Sequence, residues 1–329
     1  MVSFSELSNK NASVDITGQR ALISGGTQGI GAGIALRFAL AGASVWLVGR
    51  NEIKAEQVLE TLRKASAEAQ RRAISNGAQS SSSCLSDHQF FKADLGTTFG
   101  VSKVASEIAN KAGKQGIDYL IQTQGGPPHG AIETNSQGIE SQFAVQVLSR
   151  FGLAKQLVES GIIKRSVLMV AAPGQGGSKP IDVDDLDFTQ SKASAKWWSG
   201  PIGLMAKGAQ ASSILDSVCQ TLAEQNPNLT VSHCFPGFVN TKALSNQGHN
   251  SLLVLAASWF GPIVASKPGP GGYAELPFYL LANQQGQRYL ETERANLFNS
   301  NLKKLELSKN VSDKQVRQKI WQKLSSYFA

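Results

Sequence analysis

Apolar positions along this chain fall into short runs separated by longer stretches of helical spacing. Ala21–Ile23 is an apolar run that predicts a buried strand, and Ile30–Ala39 then carries apolar residues at the spacing of a helix. The same alternation recurs downstream. Strands are expected at 43–48, 89–93, 117–122, 166–171 and 229–234, with helices at 52–75, 101–113, 138–160 and 201–224. Gly272–Leu281 is expected to supply the last strand and its turn, and the tail from Ser312 a helix. Strands and helices in this rhythm imply an α/β fold with a parallel sheet covered on both faces, whose ligands bind beyond the carboxyl ends of the strands. No linker composition divides the 329 residues. One domain is expected, with an insertion at about 173–200, a variable lid region at about 242–268 and a helical tail at about 284–329.

The turn between the first strand and the first helix carries the chemistry. It reads Ser24-Gly25-Gly26-Thr27-Gln28-Gly29-Ile30-Gly31. Glycines there let the backbone turn sharply and approach a pyrophosphate, while the helix start presents free N–H groups to it. Strand, turn and helix come in the order this reading requires. The second strand ends at Gly49-Arg50-Asn51 with no acid at its tip. A carboxylate there would accept from the ribose 2′-hydroxyl of NAD, whereas an arginine accommodates the 2′-phosphate of NADP. Arg50 therefore favours NADP(H) over NAD(H); a solvated loop cation is its other reading.

This turn and the later Pro236-Gly237-Phe238-Val239-Asn240-Thr241 resemble two motifs of the short-chain dehydrogenase/reductase family, Thr-Gly-x-x-x-Gly-x-Gly and Pro-Gly-x-Val-x-Thr. The resemblance spans, with gaps, roughly Asp15 to Asn283. It implies a doubly wound Rossmann-type domain of three α/β/α layers and hydride transfer between a nicotinamide and a substrate carbon. It also implies that Gly25, Thr27, Gln28, Gly29, Ile30 and Gly31 cradle the pyrophosphate. Asp94, with Leu95, would contact the adenine amino group; a helix N-cap is the other reading of Asp94. Gly125 would keep a close backbone approach, although Gln122-Thr123-Gln124-Gly125 departs from the family's usual Asn-Asn-Ala-Gly. Pro236, Val239 and the hydroxyl of Thr241 would hold the nicotinamide carboxamide.

The family's proton-handling groups map less well. Its lysine aligns with Lys207, which would bond the nicotinamide ribose or else be a surface helix lysine. Its tyrosine falls on Gly203, its serine on Ala172 and its asparagine on Gln146. His129, after the fourth strand, is the best placed substitute acid, with an incidental loop histidine as the alternative. Two functions follow. One is an NADP(H)-dependent oxidoreductase with a non-standard proton donor, or with a substrate that needs none. The other is a repurposed member, such as an isomerase, a cyclase or a ligand-binding subunit, that keeps the cleft without redox chemistry.

Composition narrows the remaining choices. Lys+Arg 32 against Asp+Glu 24 gives a net charge of +8. These charges are scattered, so the surface points to no nucleic-acid partner. Cys84, Cys219 and Cys234 lie far apart, as expected of reduced thiols in the cytoplasm. The N-terminus has no signal or transit pattern. Ser251–Ala265 is the most apolar stretch but is broken by Gly261-Pro262 and too short to span a bilayer. That stretch and Trp197-Trp198 suggest an apolar small-molecule substrate. The acids Asp182, Asp184, Asp185 and Asp187 have no accompanying histidine and read as a solvated cluster with no metal. A homodimer through the fifth and sixth helices is implied by the resemblance, with the insertion placed to interfere.

Overall fold

The computed structural model describes residues 2–75, 86–125, 131–192, 200–237, 239 and 266–329. The chain enters through helix α1 (Phe4–Asn11), which the sequence reading did not anticipate, capped by Ser3, whose hydroxyl accepts the Glu6 N–H at 3.1 Å. Strands and helices then alternate: β1 (Arg20–Ser24), α2 (Gly29–Ala39), β2 (Ser44–Gly49), α3 (Glu52–Ser75), β3 (Gln89–Lys92), α4 (Thr98–Ala112) and β4 (Ile117–Gln122). The second half adds α5 (Ser141–Phe143), a π-turn over Ala144–Leu148, α6 (Ser149–Glu159), β5 (Ile163–Val170), α7 (Thr189–Lys192), α8 (Pro201–Gln225) and β6 (Thr230–Cys234). Helices α9 (Glu275–Ala282) and α10 (Gln284–Gln287), strand β7 (Ala295–Phe298) and helix α11 (Lys314–Ser326) complete it.

The seven strands form one sheet in the order β3-β2-β1-β4-β5-β6-β7, and each neighbouring pair is parallel. In β1, alternate side chains go to opposite faces. Leu22, with Trp46 and Leu120, joins the core under α4, α6, α8 and α11; Ile23, with Leu47 and Ile121, joins the core under α1, α2 and α9. Both faces are buried, which is why the strands read as nearly continuous apolar runs. Strand order reverses between β1 and β4, the switch point at which folds of this kind bind ligands beyond the carboxyl ends of the strands.

Two expectations are corrected here. Gly272–Leu281 does not hold the last strand; Glu275–Ala282 is a helix with all eight residues buried. The seventh strand is Ala295–Phe298, which pairs with β6 from Val231↔Ala295 to Cys234↔Phe298. The tail from 284 is therefore not purely helical. An uninterrupted apolar run cannot distinguish a buried strand from a buried helix by periodicity.

Candidate functional site

The turn after β1 is built from backbone contacts that exclude side chains. Gly25 has φ +75°, and a Cβ there would lie 2.6 Å from the Gln124 backbone nitrogen. A Cβ on Gly31 would run into the Gly25 carbonyl oxygen and lie 2.5 Å from the Thr123 hydroxyl. Gly29 has φ +54° and opens α2. Gln28, at the N-cap, is extended and makes no side-chain cap hydrogen bond, so the α2 N–H groups are not taken by a cap. An 11-residue helix with an uncapped start above a glycine turn fits the pyrophosphate of a dinucleotide. Thr27 stands over Gly49, where a Cβ would lie 2.9 Å from its methyl, and Ile30 packs against the inner core.

The floor of this turn is a buried polar chain. Ser24 donates to Gln124 Oε1 at 2.5 Å, Gln124 Nε2 donates to Ser149 at 3.0 Å, and the Ser149 hydroxyl donates to the Val145 carbonyl. Thr123 closes on β1 through both its N–H and its hydroxyl, each 2.9 Å from the Ser24 carbonyl. Gln124 was not singled out from the sequence. Its signal was a polar residue at the end of an apolar strand, 100 residues from its partner Ser24.

At the β2 tip, Arg50 is highly exposed, with the Asp94 carboxylate at 4.0 Å. Lys54, on the first turn of α3, donates to Gln28 Oε1 at 2.6 Å. Two cations thus flank the glycine turn beside the β2 end, one more than the sequence reading named. Asp94 does not cap α4. Its carboxylate accepts the Gly96 N–H at 3.0 Å, and Thr97 is the N-cap, accepting from Gly100 at 3.1 Å. Leu95 is buried in the core.

Gly125 has φ +127° and lies against the side chain of Gln146, which would be 3.2 Å from an added Cβ. Gln146 occupies the centre of the π-turn, an interruption of the expected 138–160 helix. Such turns place backbone carbonyls outside the helical ladder and often mark functional sites. Here the Gln146 carbonyl accepts from the Arg150 guanidinium, which also donates to the Val170 carbonyl at 3.0 Å. Arg150 is 2% exposed, and burial pushes its pKa down to about 10. It binds the π-turn to the end of β5, just before Ala172.

Lys207 is no surface lysine. It is buried on α8, where its ammonium donates to the Ala131 carbonyl and to Glu140 Oε1 at 3.1 Å. Glu140 in turn caps α5, accepting the Phe143 N–H at 2.7 Å. Glu140 and Arg150 were missed by the sequence reading, because their partners lie 67 residues away and across the sheet end, respectively. Pro236 follows β6, and Val239 bridges in parallel to Ser266. His129 and Thr241 lie outside the described residues, as do Trp197, Trp198 and the 251–265 stretch.

The acidic cluster is only half solvated. Asp185 accepts the N–H groups of Gln190 and Ser191 at 3.0 and 2.9 Å, and Asp187 accepts from Thr189 and from the Glu140 N–H at 3.1 Å. Both are buried, correcting the expectation that these two are solvated: they order the turn into α7.

Strand order and glycine turn define a Rossmann-type α/β fold, and the chain is similar to the short-chain dehydrogenase/reductase family. The family model for short chain dehydrogenase matches residues 19–85. An NmrA-like family domain-containing oxidoreductase, notO, from Aspergillus sp. (strain MF297-2) is 26% identical over 157 residues, 48% of this chain but only 44% of that protein. The match therefore spans less than half the length of that relative. The uncharacterized oxidoreductase MT0954 of Mycobacterium tuberculosis (strain CDC 1551 / Oshkosh) is 26% identical over 225 residues, covering 68% of this chain and 70% of it. Among solved structures, a short chain dehydrogenase from Burkholderia cenocepacia J2315 in complex with NADP superimposes with a TM-score of 0.55 at 19% identity, over 87% of this chain and 98% of that one. At that identity the likeness shows the fold.

No helix among the described residues is long and apolar enough to cross a membrane.

Proposed function

We propose that the protein is an NADP(H)-dependent oxidoreductase acting on a lipophilic small molecule in the cytoplasm. The observation that carries this reading is the uncapped start of α2 above the Gly25–Gly31 turn, flanked by Arg50 and Lys54. The turn and helix start would hold the pyrophosphate. Arg50 and Lys54 would take the 2′-phosphate, Asp94 the adenine side, and Pro236, Val239 and Thr241 the nicotinamide end. When bound, the nicotinamide supplies a hydride to, or accepts one from, a substrate carbon. The relative bound to NADP supports the cofactor class, and the oxidoreductase relatives support the reaction class.

What this chain's own residues contribute is a cleft floor, held by the Ser24–Gln124–Ser149 chain and by Arg150. Gly203 and Ala172, the positions read as the family's tyrosine and serine, carry no side chain able to move a proton. General acid–base catalysis contributes about 10²–10⁴-fold where it operates. The substrate that suits this floor is one whose reduction needs no proton from the protein, such as an iminium. The same observation favours a second reading, a repurposed protein that keeps the nucleotide cleft without redox turnover.

Titration calorimetry with NADPH and NADH tests the shared part. NADPH is expected to bind more tightly, and Arg50→Ala with Lys54→Ala to remove most of that preference. Absence of heat with both nucleotides would refute both readings. Loss of absorbance at 340 nm with a panel of iminium and ketone substrates separates them, since only the oxidoreductase consumes NADPH.

A further inference from the structure

The one proton-handling position that matches the family by residue type is Lys207, and its surroundings give it another task. Lys207 is 8% exposed, and its ammonium lies between the Ala131 carbonyl and the Glu140 carboxylate. Glu140 is 2% exposed, and both its oxygens are used: Oε1 by Lys207, Oε2 by the Phe143 N–H at 2.7 Å. Its own N–H donates to Asp187 Oδ2 at 3.1 Å, and Asp187 also orders the turn into α7. Ammonium, carboxylate, helix start and acidic turn therefore form one buried run of contacts joining α8 to the segment between β4 and α5. Moving Lys207 to a ribose would strand the Glu140 carboxylate where water cannot reach it, and leaving one member of a buried pair alone is strongly unfavourable. A buried cation is used in the same way at the π-turn, where the Gln146 main-chain carbonyl accepts from the Arg150 guanidinium.

We propose that Lys207 is a buried staple between α8 and the β4–α5 segment, and that nucleotide affinity does not depend on it. The affinity half of this inference rests on the nucleotide-binding reading above; the staple half does not. Lys207→Met, Glu140→Met and the double variant are compared by thermal unfolding, and NADPH affinity is measured by calorimetry on each variant that folds. Each single replacement is expected to lower Tm, and the double replacement to lower it by less than the sum of the two, because the pair is then removed whole. The NADPH Kd is expected to stay within twofold of the parent. If Lys207→Met fails to fold, Glu140→Gln, close to isosteric, decides: it should lower Tm and leave Kd unchanged. Additive Tm losses, or a tenfold weaker Kd in a folded Lys207→Met or Glu140→Gln variant, would overturn the proposal. A parent protein that binds no NADPH defeats the functional reading alone, and the Tm coupling still decides the staple.

Discussion

Gly31 shows how tightly single residues set the nucleotide turn. It lies within a regular helix, so its backbone angles would suit any residue; what forbids a side chain is the Gly25 carbonyl and the Thr123 hydroxyl facing its α-carbon. Backbone cannot yield as a flexible side chain can, and overpacking of this sort costs about 1–3 kcal/mol. Gly31→Ala is therefore expected to lower stability by that amount, read by urea unfolding, and to weaken NADPH binding at least tenfold, read by calorimetry. Gly208, also in a helix but with nothing near its Cβ position, is the matched control: Gly208→Ala should not destabilise, since alanine is the better helix former by about 1 kcal/mol. At this scale, the glycines were legible because a backbone requirement leaves a residue-type signature. The partners of Lys207, Gln124 and Arg150 were not. Any buried lysine needs an acceptor, but nothing local marks Glu140 as the one that supplies it.

Elements are joined by a second buried ionic network on the opposite face of the sheet. Arg37 of α2 donates through Nε to Glu275 Oε2 at 3.0 Å and through Nη2 to the Asn11 carbonyl at 2.7 Å. Asn11 Nδ2 reaches the same carboxylate oxygen at 2.8 Å, and the other oxygen accepts the Gly271 N–H at 3.0 Å. The guanidinium also lies over the Phe278 ring at 3.8 Å. Helices α1, α2 and α9 thus share one carboxylate, and the turn before α9 is pressed onto α2 where Gly33 faces the Pro268 carbonyl. Arg37→Met would strand Glu275 at 2% exposure and is expected to cost about 3–5 kcal/mol. Pairing it with Glu275→Leu should recover a measurable part in a double-mutant cycle of urea unfolding energies. This network explains why Glu275–Ala282 misleads as sequence. One acid at its start is consumed by a residue 238 positions earlier, and what remains, Leu-Pro-Phe-Tyr-Leu-Leu-Ala, is apolar all round. The true seventh strand, Ala295–Phe298, is four residues with a polar Asn296 in the middle, too short to show an alternation. Strands β1, β2, β4, β5 and β6 run five to eight residues and stood out by length; β3 is only four residues, but its Phe90-Phe91 core sits in the expected place between two helices.

For the whole molecule, burying seven strands between two helical layers places phenols deep within the protein, and this makes stability depend on alkaline pH. Tyr119, in the middle of the sheet and 1% exposed, donates its hydroxyl to Gln19 Oε1, and burial raises its pKa from 10.0 to about 12. The nearby Asp118 carboxylate raises it further, against a smaller lowering by Arg165 than the effect of burial. Tyr327, half-buried, is raised to about 12 by burial and, to a lesser degree, by Asp187 and Asp185, and Tyr273, fully buried with its hydroxyl unpartnered, is raised well above 10.0 by burial. A phenol with a higher pKa in the folded state than in the unfolded state holds its proton more tightly when folded. Its contribution is fully present below pH 10 and is lost as the pH climbs through the folded value. At pH 11, midway between the two values for Tyr119, about 1.4 kcal/mol of that contribution should be gone. Urea unfolding at pH 9 and pH 11 should show this decline, and Tyr119→Phe, which has no proton to lose, should flatten it by a similar amount. The absorbance of tyrosinate at 295 nm gives the independent reading: in the native protein the Tyr119 and Tyr327 signals should rise near pH 12, and on unfolding they should move down toward 10. A Tyr119→Phe variant with the parent's slope between pH 9 and 11 would mean that water reaches the middle of the sheet, and the two sealed cores described above could not then both be intact.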